Sequence, residues 1–228
     1  MLYTEETVRN NIRTREGKRV FFLGKGDRLT SAAQDFLHRE RIEILPGSEA
    51  KPSRFLVLGG GFLEEKPEHM THLEGTTLGP KTHPRIVFRG KLDALEARLI
   101  LCRLEVPEFD RELGELLTLT RKLLRWEVLG EPAQEEKLFG LTEEELHHRS
   151  HFPQDYYGQP HFMPEARDGR QMAQLNLARV CAREAELAAA AAFTGPDGNV
   201  TRPDLLRVMN RLSSAIYLLM IQQKGSKP

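Results

Sequence analysis

The sequence predicts a mainly α-helical protein: a four- to five-helix bundle with a small N-terminal α/β module. From Phe88 onward, apolar residues recur at helical spacing in successive segments. Short stretches containing Gly and Pro separate these segments, as in helical bundles. Before Gly47, by contrast, short apolar runs alternate with brief helical signals, which is typical of a small α/β unit.

Residues 1–46 are predicted to form the α/β module. Thr4 and Thr30 stand where a side chain would cap the start of a helix. The apolar runs at residues 20–23 and 42–45 have the length of strands, and each is followed by Gly or Pro. A module of this size holds little hydrophobic core of its own.

Residues 47–87 are predicted to be an irregular linker with one strand, at residues 55–58, and a candidate phosphate loop. The strand runs into consecutive glycines, and a glycine-rich turn after a strand can bind phosphate. The spacing matches neither the P-loop nor the dinucleotide-binding fingerprint, so a flexible surface loop is the open alternative. Residues 75–80 then interrupt any regular period.

Residues 88–224 are predicted to form the helical bundle domain. Thr142 and Glu145 have the spacing of a capping box, the alanine run 188–192 favours helix, and Pro203 suits a first helical turn. Prolines and a glycine at 153–164 predict a loop. The helices are expected from about 88 to a break at 107, from 107 to about 130, from 142, at 168–193, and from 203 to about 222.

Composition excludes several classes of protein. Lys plus Arg and Asp plus Glu both number 33, and the resulting zero net charge argues against nucleic acid as a partner. Cys102 and Cys181 are too few for a disulfide framework or a cysteine zinc site, so we interpret them as reduced structural thiols. The charged segment 1–13 is unlike a signal peptide, and no run approaches the roughly 20 apolar residues of a membrane span. A cytoplasmic protein without a membrane partner is expected.

Four polar side chains share one face of the long predicted helix. Asn176, Arg179, Arg183 and Glu186 follow one another at intervals of three, four and three residues, beside the apolar face. An intrahelical ion pair on a solvated surface explains Arg183 and Glu186 without any function. Arginines that border a core can instead hold phosphates, because the planar guanidinium combines charge with directed donors.

A basic cluster precedes the first bundle helix. Lys81, Arg85, Arg89 and Lys91 lie close together in the sequence, and Asp93 follows in the first turns of the helix. Asp93 could serve only as a favourable charge near the helix N-terminus, or it could pair with an arginine of the long helix and fix that arginine in place.

Two polar groups lie in the remaining helices. Residues 210–214, Asn-Arg-Leu-Ser-Ser, are unfavourable inside a helix unless hydrogen bonding or a ligand offsets the cost. His147 and His151 have the i, i+4 spacing of metal ligands, but no HExxH arrangement and no cysteine accompanies them. Exposed or packing histidines are the favoured interpretation, and no metal site is predicted.

Several blocks follow one another in an order that indicates a family. They are Thr71-His-Leu, residues 81–93 (Lys-Thr-His-Pro-Arg-Ile-Val-Phe-Arg-Gly-Lys-Leu-Asp), residues 161–170 and 175–179, residues 202–214, and residues 27–33 of the N-terminal module. Together they resemble the cobalamin adenosyltransferases, specifically the ethanolamine-utilisation type. The resemblance spans nearly the whole chain.

A more distant resemblance, to the propanediol-type adenosyltransferases, implies roles for single residues. Arg179, Arg183 and Glu186 reproduce the spacing of that family's nucleotide-binding helix, and Asp93 stands where an Asp pairs with the first of its arginines. The implied catalytic residues are Arg183, Asp93 and Arg179. The implied ATP ligands are Thr76, Thr77, Lys81, Arg85, Arg179, Arg183, Glu186, Asn210 and Arg211. The implied corrinoid contacts are Phe162, His161 and Tyr157.

The resemblance also implies an assembly and a reaction. The expected protein is a homo-oligomer, trimer or dimer, that transfers the 5′-deoxyadenosyl group of ATP to cob(I)alamin near a subunit interface, with Mg²⁺ accompanying ATP. Ethanolamine degradation is the implied setting, with a reductase and an adenosylcobalamin-dependent lyase as partners, in the cytoplasm or at a bacterial microcompartment. The alternatives are a non-catalytic protein that hands over or senses the corrinoid, and a structural helical component of a metabolic compartment.

The sequence departs from the family pattern in one place. Many ethanolamine-type members carry a His followed by a Cys-Cys-x-x-Cys metal motif ahead of the Thr-His-Leu block. Residues 59–70 contain no cysteine here, so the metal dependence associated with that motif is not expected of this chain.

Overall fold

The computed structural model describes residues 2–9, 11–15, 18–47 and 55–225. The chain divides into two compact units, Met1–Lys66 and Pro67–Pro228. This division falls inside the segment 47–87 that the sequence predicts as a linker. Residues 1, 10, 16 and 17 of the predicted module and residues 48–54 of the predicted linker lie outside the described residues.

The first unit is built from short strands and two helices. In chain order these are β1 (Leu2–Tyr3), α1 (Glu5–Arg9), β2 (Arg13–Arg15), β3 (Lys18–Leu23), β4 (Arg28–Leu29), α2 (Ser31–Arg39), β5 (Glu43–Pro46), β6 (Phe55–Val57) and β7 (Phe62–Leu63). Strand β3 pairs antiparallel with β2 and parallel with β5, with α2 in the connection between β3 and β5. Strands β1 and β4 pair in parallel, and β6 and β7 pair antiparallel.

Local sequence signals explain these elements. The Thr30 hydroxyl accepts a hydrogen bond from the Ala33 N–H at 3.3 Å and so caps α2. One face of α2 and the inner face of β3 then share a small core. The buried residues of that core are Val8, Phe21, Ala33, Phe36, Leu37 and Ile42. The predicted α/β character of the N-terminal part is confirmed.

The second unit contains a hairpin and the helical bundle. Its elements are β8 (Met70–Glu74), β9 (Thr77–Pro80), α3 (Pro84–Glu105), α4 (Asp110–Leu129), α5 (Glu143–His151), α6 (Pro153–Tyr157), α7 (Gly169–Phe193) and α8 (Pro203–Gly225). Strands β8 and β9 pair antiparallel. Single 3₁₀ turns lie at Pro107–Phe109 and Ala166–Asp168. The prediction of a mainly α-helical fold is confirmed.

The structure differs from the predicted element pattern in three places. Helix α3 starts at Pro84 rather than near residue 88, because Pro84 suits the first turn and His83 Nδ1 accepts the Arg85 N–H at 3.2 Å. The predicted loop after residue 152 contains the short helix α6. The hairpin β8–β9 occupies part of the segment predicted as irregular, with Gly75 in its turn at a φ of 53°.

Helix α7 forms the centre of the bundle. It packs against α3 on one side and α8 on the other, while α4 packs on α3 and α5 on α8. The face of α7 between its neighbours consists largely of small residues, since Ala178, Ala182, Ala185 and Ala189 are fully buried. Such side chains let flanking helices approach closely without voids. Within the described part of the chain, no helix combines the length and the apolar character that crossing a membrane requires.

Standard terminal signals set the helix ends. Thr142 and Glu145 form the predicted capping box at the start of α5, with hydrogen bonds of 2.8 and 3.2 Å. Gly130 follows the last residue of α4 and terminates the helix, because its φ of 68° lies in the left-handed region that glycine adopts without a penalty. Both cysteines are free thiols, and burial raises the pKa of the Cys102 thiol to about 11.

Asp204 connects the first turn of α8 to the segment that leaves α4. Its Oδ2 accepts the Ala133 N–H at 2.7 Å and a guanidinium N–H of Arg202 at 2.9 Å, while Arg202 also donates to the Glu131 carbonyl at 2.7 Å. Burial alone would raise the carboxyl pKa, but the hydrogen bonds from Arg202 and Ala133 hold the pKa of Asp204 at about 2.

This arrangement predicts a pH-dependent contribution to stability. Because the folded pKa of Asp204 is depressed, its stabilisation is present above the unfolded pKa of about 4 and is lost as the pH falls towards 2. We expect Asp204→Asn to lower the free energy of unfolding by about 1–3 kcal/mol at pH 7. The difference from wild type should shrink between pH 4 and 2, as measured by urea unfolding. Glu135→Gln, an exposed carboxylate in the same connection, is the control, and a pH-independent difference would contradict this role of Asp204.

Candidate active site

A cavity of about 410 Å³ lies where α5, α7 and α8 meet the segment that precedes α7. Its lining contains two guanidinium groups, two imidazoles, three serine hydroxyls and one phenol, and no carboxylate. A cavity with this lining suits an anionic or strongly polar ligand. The lining residues are Ser150, His151, His161, Arg179, Arg183, Ser213, Ser214 and Tyr217.

Arg179 and Arg183 supply the positive charge of the cavity. They lie one turn apart on α7, and each follows a fully buried alanine in the sequence, so their face borders the core as the spacing predicts. Arg179 is half-buried and donates to Asn176 Oδ1 from Nε at 3.3 Å and from Nη2 at 3.1 Å. The Arg183 side chain is 57% exposed and therefore accessible from solution.

A hydrogen-bonded chain connects Arg183 to the neighbouring helices. Glu186 accepts from Arg183 Nη1 at 3.2 Å through Oε2, and from Asn210 Nδ2 at 2.9 Å through Oε1. Arg211 Nη1 in turn donates to Asn210 Oδ1 at 3.0 Å and to His147 Nδ1 at 2.8 Å. Four of the predicted ATP ligands, Arg183, Glu186, Asn210 and Arg211, thus form one network across α7 and α8, and His147 continues it onto α5.

Two groups of this network bear on ligand binding: an unpartnered donor of Arg211 and the neutral imidazole of His147. The Nε of Arg211 is buried and has no hydrogen-bond partner among the described residues, and an unmet buried donor costs about 1–3 kcal/mol. His147 accepts from Arg211, so its Nδ1 carries no proton. Burial, together with the positive charge of Arg211, lowers the pKa of His147 and favours this neutral form.

The serines of α8 explain the polar run that the sequence places in a helix interior. Ser213 and Ser214 both return a hydrogen bond to the Asn210 carbonyl, at 3.1 and 3.3 Å. This local bonding offsets part of the cost of serine in a helix. The hydroxyl oxygens remain on the cavity wall, where they can still accept a hydrogen bond.

Aromatic groups form the other wall of the cavity. The rings of His161 and Tyr217 stack with centroids 5.7 Å apart, and the Phe162 ring lies 6.3 Å from that of Tyr217. His161 Nε2 lies 3.1 Å from the His151 carbonyl, which can only accept, so Nε2 carries the proton. In the neutral imidazole, His161 Nδ1 then accepts the Tyr217 O–H at 2.9 Å. Burial raises the pKa of Tyr217, which keeps the phenol protonated as a donor.

An ion pair anchors the segment that carries His161 and Phe162. Asp168, at the end of that segment, pairs with Lys224 near the end of α8 and also accepts the Glu165 N–H at 2.8 Å. The Lys224 ammonium lies 5.4 Å from the centroid of the Phe162 ring, a cation–π contact. The hydrogen bond from Lys224 lowers the pKa of Asp168, so the pair is charged at neutral pH.

Two of the residues predicted for the corrinoid do not line this cavity. Phe162 is half-buried against the core beside it. Tyr157, on α6, lines a second cavity of about 330 Å³ together with side chains of α4, α5 and α8. Of the predicted set, His161 alone is on the wall of the arginine-lined cavity.

The remaining predicted residues lie at the hairpin and at the start of α3. Thr76 and Lys81 are exposed, and Thr77 is half-buried, in or directly after the hairpin. Arg85 is paired with Glu127 and Glu74 at 2.5 and 3.3 Å. None of these four side chains lines the arginine-lined cavity of the same chain. Whether they bind ATP stays a prediction.

The expected pairing of Asp93 with Arg179 is not found within one chain. Asp93 is exposed on α3, and Arg179 directs its guanidinium to Asn176. The reason is geometric: Arg179 belongs to the side of α7 that faces α5 and α8, whereas α3 packs on the other side. Among the described residues, the α3–α7 ion pair near this level joins Lys91 to Glu184 at 2.8 Å.

Sequence reasoning missed Tyr217, Ser150 and the cavity role of His151. A signal for Tyr217 was available, since it follows Asn210 and Ser213 at helical spacing on the polar side of α8. Ser150 and His151 reach the cavity only because α5 packs against α8, which periodicity does not reveal.

Comparison with known proteins decides the family. The family model described as cobalamin adenosyltransferase matches residues 62–223 of the chain. The chain belongs to the cobalamin adenosyltransferase family. The match covers the hairpin, the bundle and the arginine-lined cavity of this adenosyltransferase. The structural elements that hold the candidate site are therefore those of the family.

Curated relatives agree with this assignment. The chain is 31% identical to the corrinoid adenosyltransferase EutT of Escherichia coli (strain K12), over 249 aligned residues that cover 99% of this chain and 93% of the relative. The corrinoid adenosyltransferase EutT of Salmonella typhimurium is similar at the same identity and coverage. The resemblance inferred from the sequence blocks is confirmed.

The hydrogen bonds of His161 generate a test of the cavity wall. Tyr217→Phe keeps the stacked ring but removes the O–H, so His161 Nδ1 should lose its donor while Nε2 keeps its proton on the His151 carbonyl. Imidazole ¹⁵N NMR should show a shift of the His161 Nδ1 resonance with the Nε2–H tautomer unchanged. Tyr156→Phe, which removes the phenol 3.0 Å from His148 Nδ1, should leave His161 unaffected. A protonated His161 Nδ1 in the wild type would contradict this geometry.

Proposed function

We propose that this adenosyltransferase transfers the 5′-deoxyadenosyl group of ATP to the reduced cobalt of a corrinoid and releases triphosphate. Family membership and the names of the relatives support the reaction class. The observation that carries the proposal is that Arg179 and Arg183 line one cavity together with hydroxyl and imidazole groups. A triphosphate needs such a positive, donor-rich surface.

The chemical step requires positioning more than acid–base catalysis. The electron pair of cobalt(I) attacks C5′ of the ribose, the C5′–O bond breaks, and its electron pair leaves with the triphosphate oxygen. No proton is transferred. A one-electron reductant must first convert cobalt(II) to cobalt(I), which is the role of the proposed reductase partner. The corrinoid supplies the nucleophile, and the protein has to align it with C5′ and exclude water.

Arg179 and Arg183 are proposed to neutralise the charge that accumulates on the triphosphate. Groups preorganised for developing charge contribute strongly to catalysis because they need no reorganisation during the step. The network through Glu186 and Asn210 supplies that preorganisation for Arg183, since both carboxylate oxygens are hydrogen-bonded. Arg211, with its unpartnered Nε, is proposed to contact the nucleotide beside them.

The aromatic wall is proposed to face the corrin ring. His161 and Tyr217 present a stacked, apolar surface with a hydrogen-bonded polar edge, which suits a large planar ligand. Phe162 extends that surface beyond the cavity and, by resemblance, would exclude the lower axial ligand of cobalt. Removing that ligand makes cobalt(II) easier to reduce. Tyr157, on the second cavity, remains a less direct candidate.

Mg²⁺ is proposed to enter with ATP rather than to reside in the protein. No group of three or more His, Cys, Asp or Glu side chains suited to a metal ion occurs among the described residues. Mg²⁺ in nucleotide sites is held mainly by phosphate oxygens and water, with few protein ligands.

We further propose that the complete site forms between two copies of the chain, in a dimer or trimer. Thr76, Thr77 and Lys81 do not line the arginine-lined cavity of their own chain, so a second copy would have to bring them to it. Exposed apolar side chains on α3 and α7 support such an association, with Leu104, Leu177 and Leu187 at 76%, 41% and 59% exposure. In this assembly Asp93 would be available to an arginine of the partner.

The setting of the reaction is a proposal that follows from the relatives. We propose that the product serves an adenosylcobalamin-dependent lyase of ethanolamine degradation, in the cytoplasm or in a microcompartment. We propose neither a nucleic-acid nor a membrane partner.

Turnover in solution tests the reaction. The purified protein, ATP, cobalamin and a chemical reductant should give the light-sensitive cobalt–carbon product. Arg183→Ala should lower kcat/KM for ATP by about 100-fold, because loss of one charge-stabilising donor costs about 2.7–4 kcal/mol in a preorganised site. Arg170→Ala is the matched control, since Arg170 lies on the same helix and pairs with Glu105 away from the cavity. Tight corrinoid binding without product would instead favour the handover or sensing protein.

A complementation experiment tests the composite site. Lys81→Ala and Arg183→Ala are each expected to be nearly inactive if both residues serve one site. Unfolding and refolding the two variants together should restore a fraction of the wild-type activity, because some interfaces then receive both intact residues. For a dimer with random assortment, that fraction is about one quarter of the sites. Persistent inactivity of a mixture that demonstrably exchanges subunits would exclude a site shared between copies.

A further inference from the structure

The carboxylate of Glu127 is fully buried at the end of α4 and is shared by two arginines of α3. Arg85 Nε donates to its Oε1 at 2.5 Å, and Arg89 Nε donates to its Oε2. Arg85 Nη2 also donates to the Glu127 backbone carbonyl at 3.1 Å. The two arginine side chains are only 19% and 15% exposed. Both carboxylate oxygens and two guanidinium groups thus form one enclosed network.

The arginines extend this network to the hairpin. Arg89 donates to the backbone carbonyls of His72 at 3.0 Å and Leu73 at 2.6 Å, and Arg85 Nη1 lies 3.3 Å from Glu74 Oε2. All three acceptors belong to β8. The β8–β9 ladder shifts register between His72 and Glu74. The strand is therefore irregular where its carbonyls accept hydrogen bonds from Arg89. Guanidinium donors thus bind β8 at its irregularity.

The energetics make the network rigid. A buried carboxylate is costly unless it is paired and hydrogen-bonded, and removing one partner leaves the other charges uncompensated. The two arginines therefore have little freedom to turn towards solvent. In this position Arg85 uses its donors within the protein, which differs from the ligand role that the family resemblance implies.

We propose that Glu127 is a positioning residue for the nucleotide. It holds Arg85 and Arg89, and through them it fixes the hairpin that presents Thr76, Thr77 and Lys81. This inference rests on the proposed function for its catalytic consequence, whereas the mechanical link from Glu127 to β8 stands independently. Arg85 then stabilises the hairpin that carries these three residues, and it does not itself contact phosphate.

Glu127→Gln tests the link, because it removes the charge and keeps the shape. Amide hydrogen exchange in residues 70–81 of the ATP-free protein should become at least tenfold faster. The KM for ATP should rise about tenfold while the KM for cobalamin stays unchanged. Glu96→Gln is the matched control: Glu96 also joins α3 to α4, pairing with Arg121 at 2.7 Å, but it makes no contact with the hairpin. It should change neither hairpin exchange nor either KM.

A second variant tests the same link to the hairpin if Glu127→Gln fails to fold. Arg89→Lys keeps one positive charge, but its single ammonium cannot match the guanidinium geometry that reaches Glu127 and both carbonyls of β8. It should reproduce the faster hairpin exchange and the selective rise in the KM for ATP. Unchanged hairpin exchange in a folded variant, or an equal rise in both KM values, would overturn the inference. A wild-type protein without turnover would instead refute the proposed function. Amide hydrogen exchange in the hairpin would then still test the link from Glu127 to β8.

Discussion

The arrangement of this adenosyltransferase depends on the close packing of α7 between α3 and α8. Fully buried alanines occupy the contact face, so the two neighbouring helices approach α7 closely. Arg179 and Arg183 follow directly after Ala178 and Ala182 in the sequence. Their side chains therefore lie at the edge of the packed contact face of α7. Their positions along the bundle are set by backbone packing, which a flexible loop could not fix as firmly.

The candidate site adds a network of hydrogen-bonded polar side chains to these packed helices. Helices α5, α7 and α8 each contribute side chains, and the hydrogen-bonded chain from Arg183 to His147 crosses all three. The carboxylate of Glu186 connects the charged part of the chain to the amide of Asn210. The hydrogen bonds thus fix the orientation of both parts relative to each other.

Sequence reasoning found the parts of the site that periodicity controls. The spacing of four and three residues predicted that Arg179, Arg183 and Glu186 share a face, and the structure places both arginines on a cavity. It could not predict Glu127, because a glutamate near the end of an amphipathic helix has the same local pattern whether solvent or two arginines surround it. Burial of that charge is decided by tertiary packing against α3 and β8.

Helix starts also divide into those that the local sequence pattern predicted and those that it did not. The caps at Thr30 and Thr142 depend on residues close in sequence and were predicted, whereas the early start of α3 depends on the side chain of His83 acting as a cap. The Asp93–Arg179 pairing was transferred from a distant family. It is not formed in the single chain because α3, which carries Asp93, packs on the side of α7 away from Arg179.

The pair between Asp168 and Lys224 gives the last turn of α8 a structural task. Lys224 stands one residue before the helix ends at Gly225, and terminal helical turns tend to fray. Fraying of this turn would release an anchor of the segment that holds His161 and Phe162. The aromatic wall of the cavity therefore depends on the order of a helix end that contributes no side chain to the cavity lining.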